Sequence, residues 1–532
     1  LQNVKQKQAN DDKIHKRVTL YMTSNLDSNQ LDRPARILTT AYLSAVCFLL
    51  PLAYYRLYFD ITEAKHVFFM ATSILYLLLL LVLYVLSVNR GQTKCRRLPD
   101  AAALCMLAFF TCTVVASFLS EYPQDVLLGQ RNRYQGLLTV SVYTALVFAL
   151  SRQAFDLRYA EAALAASGSI AGMLGVLNHF GVDPLGFMVN LSPADQGRFI
   201  STLGNADFYG SFLCLAFPVT FGWFCRERRL LGRFLSAGAL FIVSLGSMVA
   251  GSDSTALGLI VAAFAFPPIL MDEKRALQRF FTGWALFAFA ALLFGAISPL
   301  LPSVTYLSYF AVLVSKPSVA LIILLACGAA SLALYKTAEE KWNPTRSRRR
   351  YLSALLLAVL LCIVMLVLLN TLLGDVSLGR AERYLRWSES WGTDRGKIWT
   401  YCVDLYASFN PVQKIFGAGS GVVFYADQAN RVFQDAALDT AHNEYLQYLL
   451  TTGALGLAAY LLTLLSAVRS GLAANVHRSG VVRGFTIAVI AYAVQGAVNI
   501  AQPASTPLFF LMIGLLAGIS QKKRYLRIDN RA

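Results

Sequence analysis

Apolar residues in this chain come in long unbroken runs of about 20, each enough to cross a ~30 Å hydrocarbon core as a helix. Fourteen such runs stand at about 37–56, 66–88, 100–120, 136–151, 160–180, 201–224, 234–250, 254–271, 280–300, 317–335, 351–373, 443–468, 484–500 and 505–520. They predict an all-α, polytopic transmembrane helical bundle. Short loops join the runs except between the eleventh and twelfth, where residues 374–441 form one long polar connection. A connection of that length is functional or disordered, and this one carries Tyr384, Trp387, Trp391, Trp399, Tyr401 and Tyr406 among its charges, so it is expected to fold. Thr393 and Asp394 can cap a helix with Ile398, Trp399, Cys402, Leu405 and Tyr406 on one face, ended by Asn410-Pro411. The expected divisions are an N-terminal segment 1–36, spans one to eleven over 37–373, the loop 374–441, spans twelve to fourteen over 442–520, and a tail 521–532.

Composition agrees: across 532 residues, 56% hydrophobic and 14% charged excludes a soluble multidomain, disordered or disulfide-rich secreted chain. The net charge of +17 would suggest nucleic acid in a soluble protein, but here it follows membrane topology. With the N-terminus in the cytoplasm, 34 of the 47 Lys and Arg fall on the cytoplasmic side, which orients the chain N-in and C-in and puts the long loop outside the cell. Clusters such as Arg346 to Arg350 and Lys522 to Arg524 then read as topology anchors, and no nucleic-acid partner is expected. The first thirty-six residues are polar and the first span is too long and too late for a signal-peptide core, so no cleavable leader is expected. Of nine cysteines only Cys402 lies outside, which leaves no external disulfide framework, and no metal-ligand spacing appears. Neither metal nor cofactor is expected.

The informative charges are those that topology does not explain. In the long loop Arg380, Arg383, Arg386, Arg395 and Lys397 face Glu382, Glu389 and Asp394, and the whole loop is near balance, so its arginines look individually placed rather than a lipid-hugging patch. Arg380, Arg383 and Arg386, three residues apart, could share a helix face beside Trp387 and Trp391. Guanidinium forks suit phosphate oxygens and aromatic faces suit sugars or headgroups, although pairing with the neighbouring carboxylates is the plainer use. Arg131 and Arg133 precede the fourth span, and Arg198 precedes the sixth, all against the inside-positive trend. Asn205 and Asp207 are expected a turn inside the membrane, where polar groups serve function or helix pairing. His442, beside Asn443, sits where the loop re-enters the bilayer; a neutral imidazole there can take a proton from a hydroxyl, while a helix cap is the plainer reading. Phe416-Gly417-Ala418-Gly419-Ser420-Gly421 lacks the spacing of a phosphate loop and reads as a flexible turn.

Several of these segments, in this order, resemble the O-antigen ligase and O-antigen polymerase superfamily of GT-C type membrane glycosyltransferases. Asp394-Arg395-Gly396-Lys397-Ile398-Trp399 resembles the family's Arg-x-x-Ile-Trp segment, and Phe416 to Gly419 its loop glycines. His442-Asn443-x-x-Leu446-Gln447 with Thr452 to Gly456 resembles its His-Asn motif and following span, and Leu203-Gly204-Asn205 its mid-chain Gly-Asn segment. Arg133-Tyr134-Gln135-Gly136-Leu137-Leu138 is similar to a pattern in members from Gram-positive bacteria, which favours a wall or capsule polymer over lipopolysaccharide. The resemblance implies an undecaprenyl-pyrophosphate-linked glycan donor at the outer face of the cytoplasmic membrane and a hydroxyl acceptor on a glycan, glycolipid or other surface polymer. It further implies inverting, metal-independent transfer, with His442 as base and Arg395 steadying the leaving group. Arg198, Arg383, Arg386, Arg133, Arg131, Asn205, Asn443 and Trp399 are the substrate-binding candidates. Two features depart from the family: Ser252-Asp253-Ser254 stands where members often carry Ser-Arg-Gly, and fourteen spans exceed the usual twelve or so, with the pair at about 280–335 a candidate insertion. Polymerase and ligase both fit. The rival from another class is a flippase of the same lipid-linked oligosaccharides, which would need its charges in a central cavity along the helices.

Overall fold

In the computed structural model a helix occupies each of the fourteen apolar runs. These are α1 Asp32–Leu52, α2 Ile61–Asn89, α3 Ala101–Leu119, α4 Leu137–Leu150, α5 Leu157–His179, α6 Ala206–Arg226 and α7 Leu230–Met248. They continue as α8 Ser254–Leu270, α9 Lys274–Ile297, α10 Pro317–Lys336, α11 Pro344–Asn370, α12 Glu444–Asn475, α13 Gly480–Gln495 and α14 Thr506–Ile528. The structure describes residues 32–89, 100–338, 341–374, 376–430, 432–433, 438–475 and 480–528, with the side chains of Arg380, Arg383 and a few others left out. Eleven of the described helices are long and apolar enough to cross a bilayer, and α4, α8 and the apolar part of α14 are shorter. At 1.5 Å per residue a 14-residue helix such as α4 covers only about 21 Å. Non-helical backbone at its ends is tolerable because it is enclosed by protein rather than lipid. The chain is an all-α, multi-pass membrane protein.

α6 and α13 form the centre. Of the 21 residues of α6, all from Phe208 through Gly222 are buried, and α13 is buried along most of its length. They cross where Gly222 meets Gly484: a Cβ on Gly222 would lie 2.8 Å from the Cα of Gly484, so a side chain there would drive the central pair apart. α10 and α11 are peripheral, each with a single buried residue, Ala320 and Leu369, so their apolar surfaces are left for lipid.

Connections gather at two ends. At one, Tyr58 donates to the Ser201 carbonyl (2.8 Å), the Val304 amide to His179 (2.8 Å), and Arg133 pairs with Asp439 (2.5 Å). Lys65, fully buried, donates there to the carbonyls of Leu50, Pro51 and Ala53, which satisfies the otherwise open end of α1. At the other end Glu161 pairs with Arg226, Glu273 with Arg483 (2.7 Å) and Asp272 with Arg348 (2.6 Å). The described residues of the loop 374–441 gather at the first end.

Three local expectations change. α6 starts at Ala206 rather than 201, because Phe199–Ile200 and Gly204–Asn205 form a two-residue antiparallel hairpin whose turn needs positive φ at Ser201 and Gly204. Asn205 is therefore the cap of α6, accepting from the Asp207 amide (2.7 Å), not a residue one turn inside. Arg380, Arg383 and Arg386 do not share a helix face: a 3-10 turn and a four-residue helix, Glu382–Leu385, end before Arg386, whose backbone is extended.

Candidate active site

The loop helix spans Trp391–Ser408, but Gly392, Thr393 and Asp394 have φ of 62°, 64° and 64°. Thr393 and Asp394 thus make a left-handed turn instead of a cap. That turn folds Arg395 back so that its guanidinium donates to the Gly392 carbonyl (2.6 Å) and stands 3.6 Å from Asp207 at the start of α6. Asn410 and Gln413 form a reciprocal capping box with Pro411 in the first turn, so the loop helix does end where Asn410-Pro411 marks it.

The glycine segment that follows is a clamp rather than a flexible turn. α12 is broken at Gly453 (φ 72°, ψ −178°), which would orphan carbonyls of its first part. The Ala418 amide donates to Leu450 (2.9 Å) and the Gly419 amide to Thr451 (3.1 Å), closing the break. A Cβ on Gly453 would sit 2.2 Å from the Ile415 carbonyl oxygen and 2.5 Å from the Gly417 nitrogen, both rigid backbone. Gly453→Ala is accordingly expected to destabilise the protein by at least about 1–3 kcal/mol from backbone conformation alone. The measurement is the melting temperature in detergent; an unchanged value would contradict the clamp.

The short first part of α12 presents His442. Asn443 caps it, accepting from the Tyr445 (3.0 Å) and Leu446 (3.1 Å) amides, and Gln447 reaches back to accept from the Ala441 amide (2.9 Å). His442 is pinned between them with φ 47°. Burial lowers its pKa below the ordinary 6.5; Arg395 and Arg133 lower it further, while Asp439 and Asp207 oppose them. The imidazole is neutral at pH 7 and feels four charged groups, Asp439 on its own segment and Arg395, Arg133 and Asp207 from three others.

Backbone strain collects at the same place. Among the described residues seven non-glycines have positive φ: Asn132 and Tyr134 flank Arg133, Ser201 lies in the hairpin after Arg198, Thr393 and Asp394 precede Arg395, and His442 is the sixth. The seventh, Leu57, packs with Phe199 of that hairpin beside Tyr58, whose hydroxyl donates to Ser201. Each such residue costs of order 1–3 kcal/mol, and clustering of that kind is the mark of a site rather than of a scaffold.

Other residues singled out by sequence have mixed fates. Arg133, paired with Asp439, lies over the Phe208 ring at 5.7 Å and so joins the cluster; Arg131 is exposed on the same turn. Arg198 is exposed beside the hairpin and makes no ion pair among the described residues. Trp399 stacks with Trp387 and Trp391 at 5.9 and 5.2 Å. Arg386 donates through one guanidinium nitrogen to the Leu373 and Val376 carbonyls just after α11, and its buried Nε has no partner. The Arg383 side chain is outside the described residues. Asp253, standing where the resemblance leads one to expect arginine, accepts from the Tyr384 hydroxyl (2.7 Å) and the Phe310 amide (3.2 Å), so it docks the long loop. Asp207 stands out in sequence but without its partner, and Asp439 does not stand out at all; it is 306 residues from Arg133, and no spacing announces that pairing. Among the described residues no His, Cys, Asp and Glu group suited to a metal occurs.

Residues 303–461 match the family described as O-antigen ligase. Over this stretch, under a third of the chain, the sequence resembles the O-antigen ligase superfamily. The O-antigen ligase match contains Arg395, the glycine clamp, His442 and Gly453, and stops short of Arg133 and Arg198. A comparison with curated proteins returned no match. The match supports a glycosyltransferase-type membrane enzyme of polysaccharide synthesis, as the family implies a lipid-linked glycan substrate.

Proposed function

We propose that this protein transfers or polymerises an undecaprenyl-pyrophosphate-linked glycan at the extracytoplasmic face of the cytoplasmic membrane, with 374–441 as its catalytic loop. The observation that carries this reading is the meeting of neutral His442 with Arg395, an arginine only partly satisfied by protein. Arg395, helped by Arg198, holds the donor's pyrophosphate. His442 takes the proton of the acceptor hydroxyl; the oxygen bonds to the anomeric carbon from the face opposite the leaving group. The bond between that carbon and the pyrophosphate oxygen breaks, and its electron pair leaves on undecaprenyl pyrophosphate, whose added charge the guanidinium stabilises. Asn443 positions the base through the helix cap, and Trp399 with its tryptophan neighbours offers a face for sugar or headgroup. The excess of Lys and Arg on the end opposite the site supports an outward-facing centre.

The gathering of the unusual charges at one end, instead of along a central cavity, favours transfer over flipping. The test is reconstitution of purified protein with lipid-linked glycan in the presence of chelator, read by mass spectrometry. Transfer releases free undecaprenyl pyrophosphate and moves the glycan to a hydroxyl; lengthening chains on the carrier identify polymerisation. Translocation of intact glycolipid without either product would refute the reading.

A further inference from the structure

A cleft opens beside the cluster just described, bounded by α3, the segment 126–140, the glycine clamp and the start of α12. The space between these elements, open mouth and adjoining solvent included, is about 790 Å³. Its chemistry differs from that around Arg395. Ser117, Gln130, Gln135 and Ser420 offer uncharged donors and acceptors, and Phe109 and Leu137 offer apolar walls. The charged groups that reach it are already spent. Arg133 and Asp439 neutralise one another at 2.5 Å, and Glu444, fully buried, accepts from the hydroxyls of Tyr448 (3.2 Å) and Tyr460 (3.0 Å). No unpaired cation among the described lining residues could hold a diphosphate. A ring bearing hydroxyls on its edge and C–H bonds on its faces matches both kinds of wall. The buried Nε of Arg133 has no partner, which leaves one donor for a sugar oxygen.

Position sharpens the assignment. Asp439, Thr440 and Asn443, which bracket His442 in sequence, line this cleft and set His442 at its edge, whereas His442 itself, Arg395, Asp207, Asn205 and Arg198 are not part of its wall. An inverting displacement requires the nucleophile and the leaving group on opposite sides of the reacting carbon, with the base beside the nucleophile. With pyrophosphate at Arg395, the acceptor hydroxyl must come from the cleft side.

Resting on the transfer reading above, we propose that this cleft is the acceptor subsite and that it takes an uncharged sugar ring, directing one of its hydroxyls to His442. A uronic acid is disfavoured there, since its carboxylate would give up its hydration for a cleft with no free cation to offset the loss. Two variants test the assignment in nanodiscs: Ser117→Trp, which fills the cleft, and Gln130→Leu, which removes one amide at its mouth and keeps the assay interpretable should the larger side chain prevent folding. The probes are undecaprenyl pyrophosphate itself, for affinity, and lipid-linked glycans extracted from the source membranes, for transfer. Gln130→Leu is expected to raise the half-saturating concentration of the extract by about three- to tenfold, the loss of one neutral hydrogen bond. Ser117→Trp is expected to lose transfer to a larger degree, and both variants to bind undecaprenyl pyrophosphate as the wild type does. Unaltered transfer in both variants overturns the assignment, and so does a parallel fall in undecaprenyl pyrophosphate affinity, which would give the cleft to the donor. If the wild type itself leaves the extract unchanged, the transfer reading fails first and this assignment with it, a result that no variant is needed to recognise.

Discussion

His442→Ala is expected to abolish glycan transfer, lowering the rate by about 10²–10⁴-fold, while undecaprenyl pyrophosphate still binds. The imidazole is neutral at pH 7, because burial and then Arg395 hold its pKa below 6.5, so its removal subtracts a proton acceptor and not a charge. Arg395 keeps its carbonyl anchor on Gly392 in the variant, and donor affinity has no reason to fall. The same displacement fixes the pH behaviour. The groups facing His442 are Arg395 and Arg133, which disfavour its protonation, and Asp439 and Asp207, which favour it; burial outweighs the carboxylates. Transfer should therefore stay on a plateau through pH 7 and fall only below pH 6.5. Stability has the same sign: the unfolded chain takes up the proton at the ordinary pKa and the folded one resists, so this residue's contribution is present above 6.5 and lost as pH falls. An acid limb centred above 6.5, or transfer persisting in purified His442→Ala, would remove the residue from the role of base.

The helices and the site differ in how far they could be read from sequence, for a physical reason. Each membrane helix satisfies its own backbone and needs only a long apolar run, which is a local property, so all fourteen were legible. His442, Asn443 and Arg395 stood out because they were polar groups at the edge of such runs. What sequence could not reveal were pairings made across the chain. Asp439 neutralises Arg133, Asp207 stands by Arg395, and Asp253 takes the Tyr384 hydroxyl, and none of these lies at a spacing that predicts contact. Backbone conformation was equally hidden: Thr393, Asp394 and Tyr134 adopt positive φ although their side chains favour negative values, because the surrounding contacts hold them there. The glycine segment misled in the opposite direction. Glycine permits flexibility, yet at Gly417 it permits the close approach to Thr451 in the broken α12, and at Gly419 the close approach to Ser120 at the end of α3.

Arg395 and Arg386 lie nine residues apart in one loop, and their substitution should separate a functional arginine from a structural one. Arg395 uses one guanidinium nitrogen on Gly392 and holds a second at a loose 3.6 Å from Asp207, whereas Arg386 bridges two backbone carbonyls; the buried Nε lacks a partner in both. Arg395 has hydrogen-bonding capacity left for phosphate oxygens and keeps most of its charge for a leaving group. Arg395→Ala should lower the transfer rate by about 10²–10³-fold, the loss typical of one preorganised donor at a developing anion, and should also weaken undecaprenyl pyrophosphate binding. Arg395→Lys restores charge without the fork: a single ammonium cannot hold the Gly392 carbonyl and grip two phosphate oxygens at once, so it recovers affinity better than rate. Arg386→Ala leaves the Leu373 and Val376 carbonyls short of a donor and should lower the melting temperature while undecaprenyl pyrophosphate affinity stays unchanged. If the two alanine variants exchange these phenotypes, Arg395 is the structural residue, and the diphosphate must be held without it.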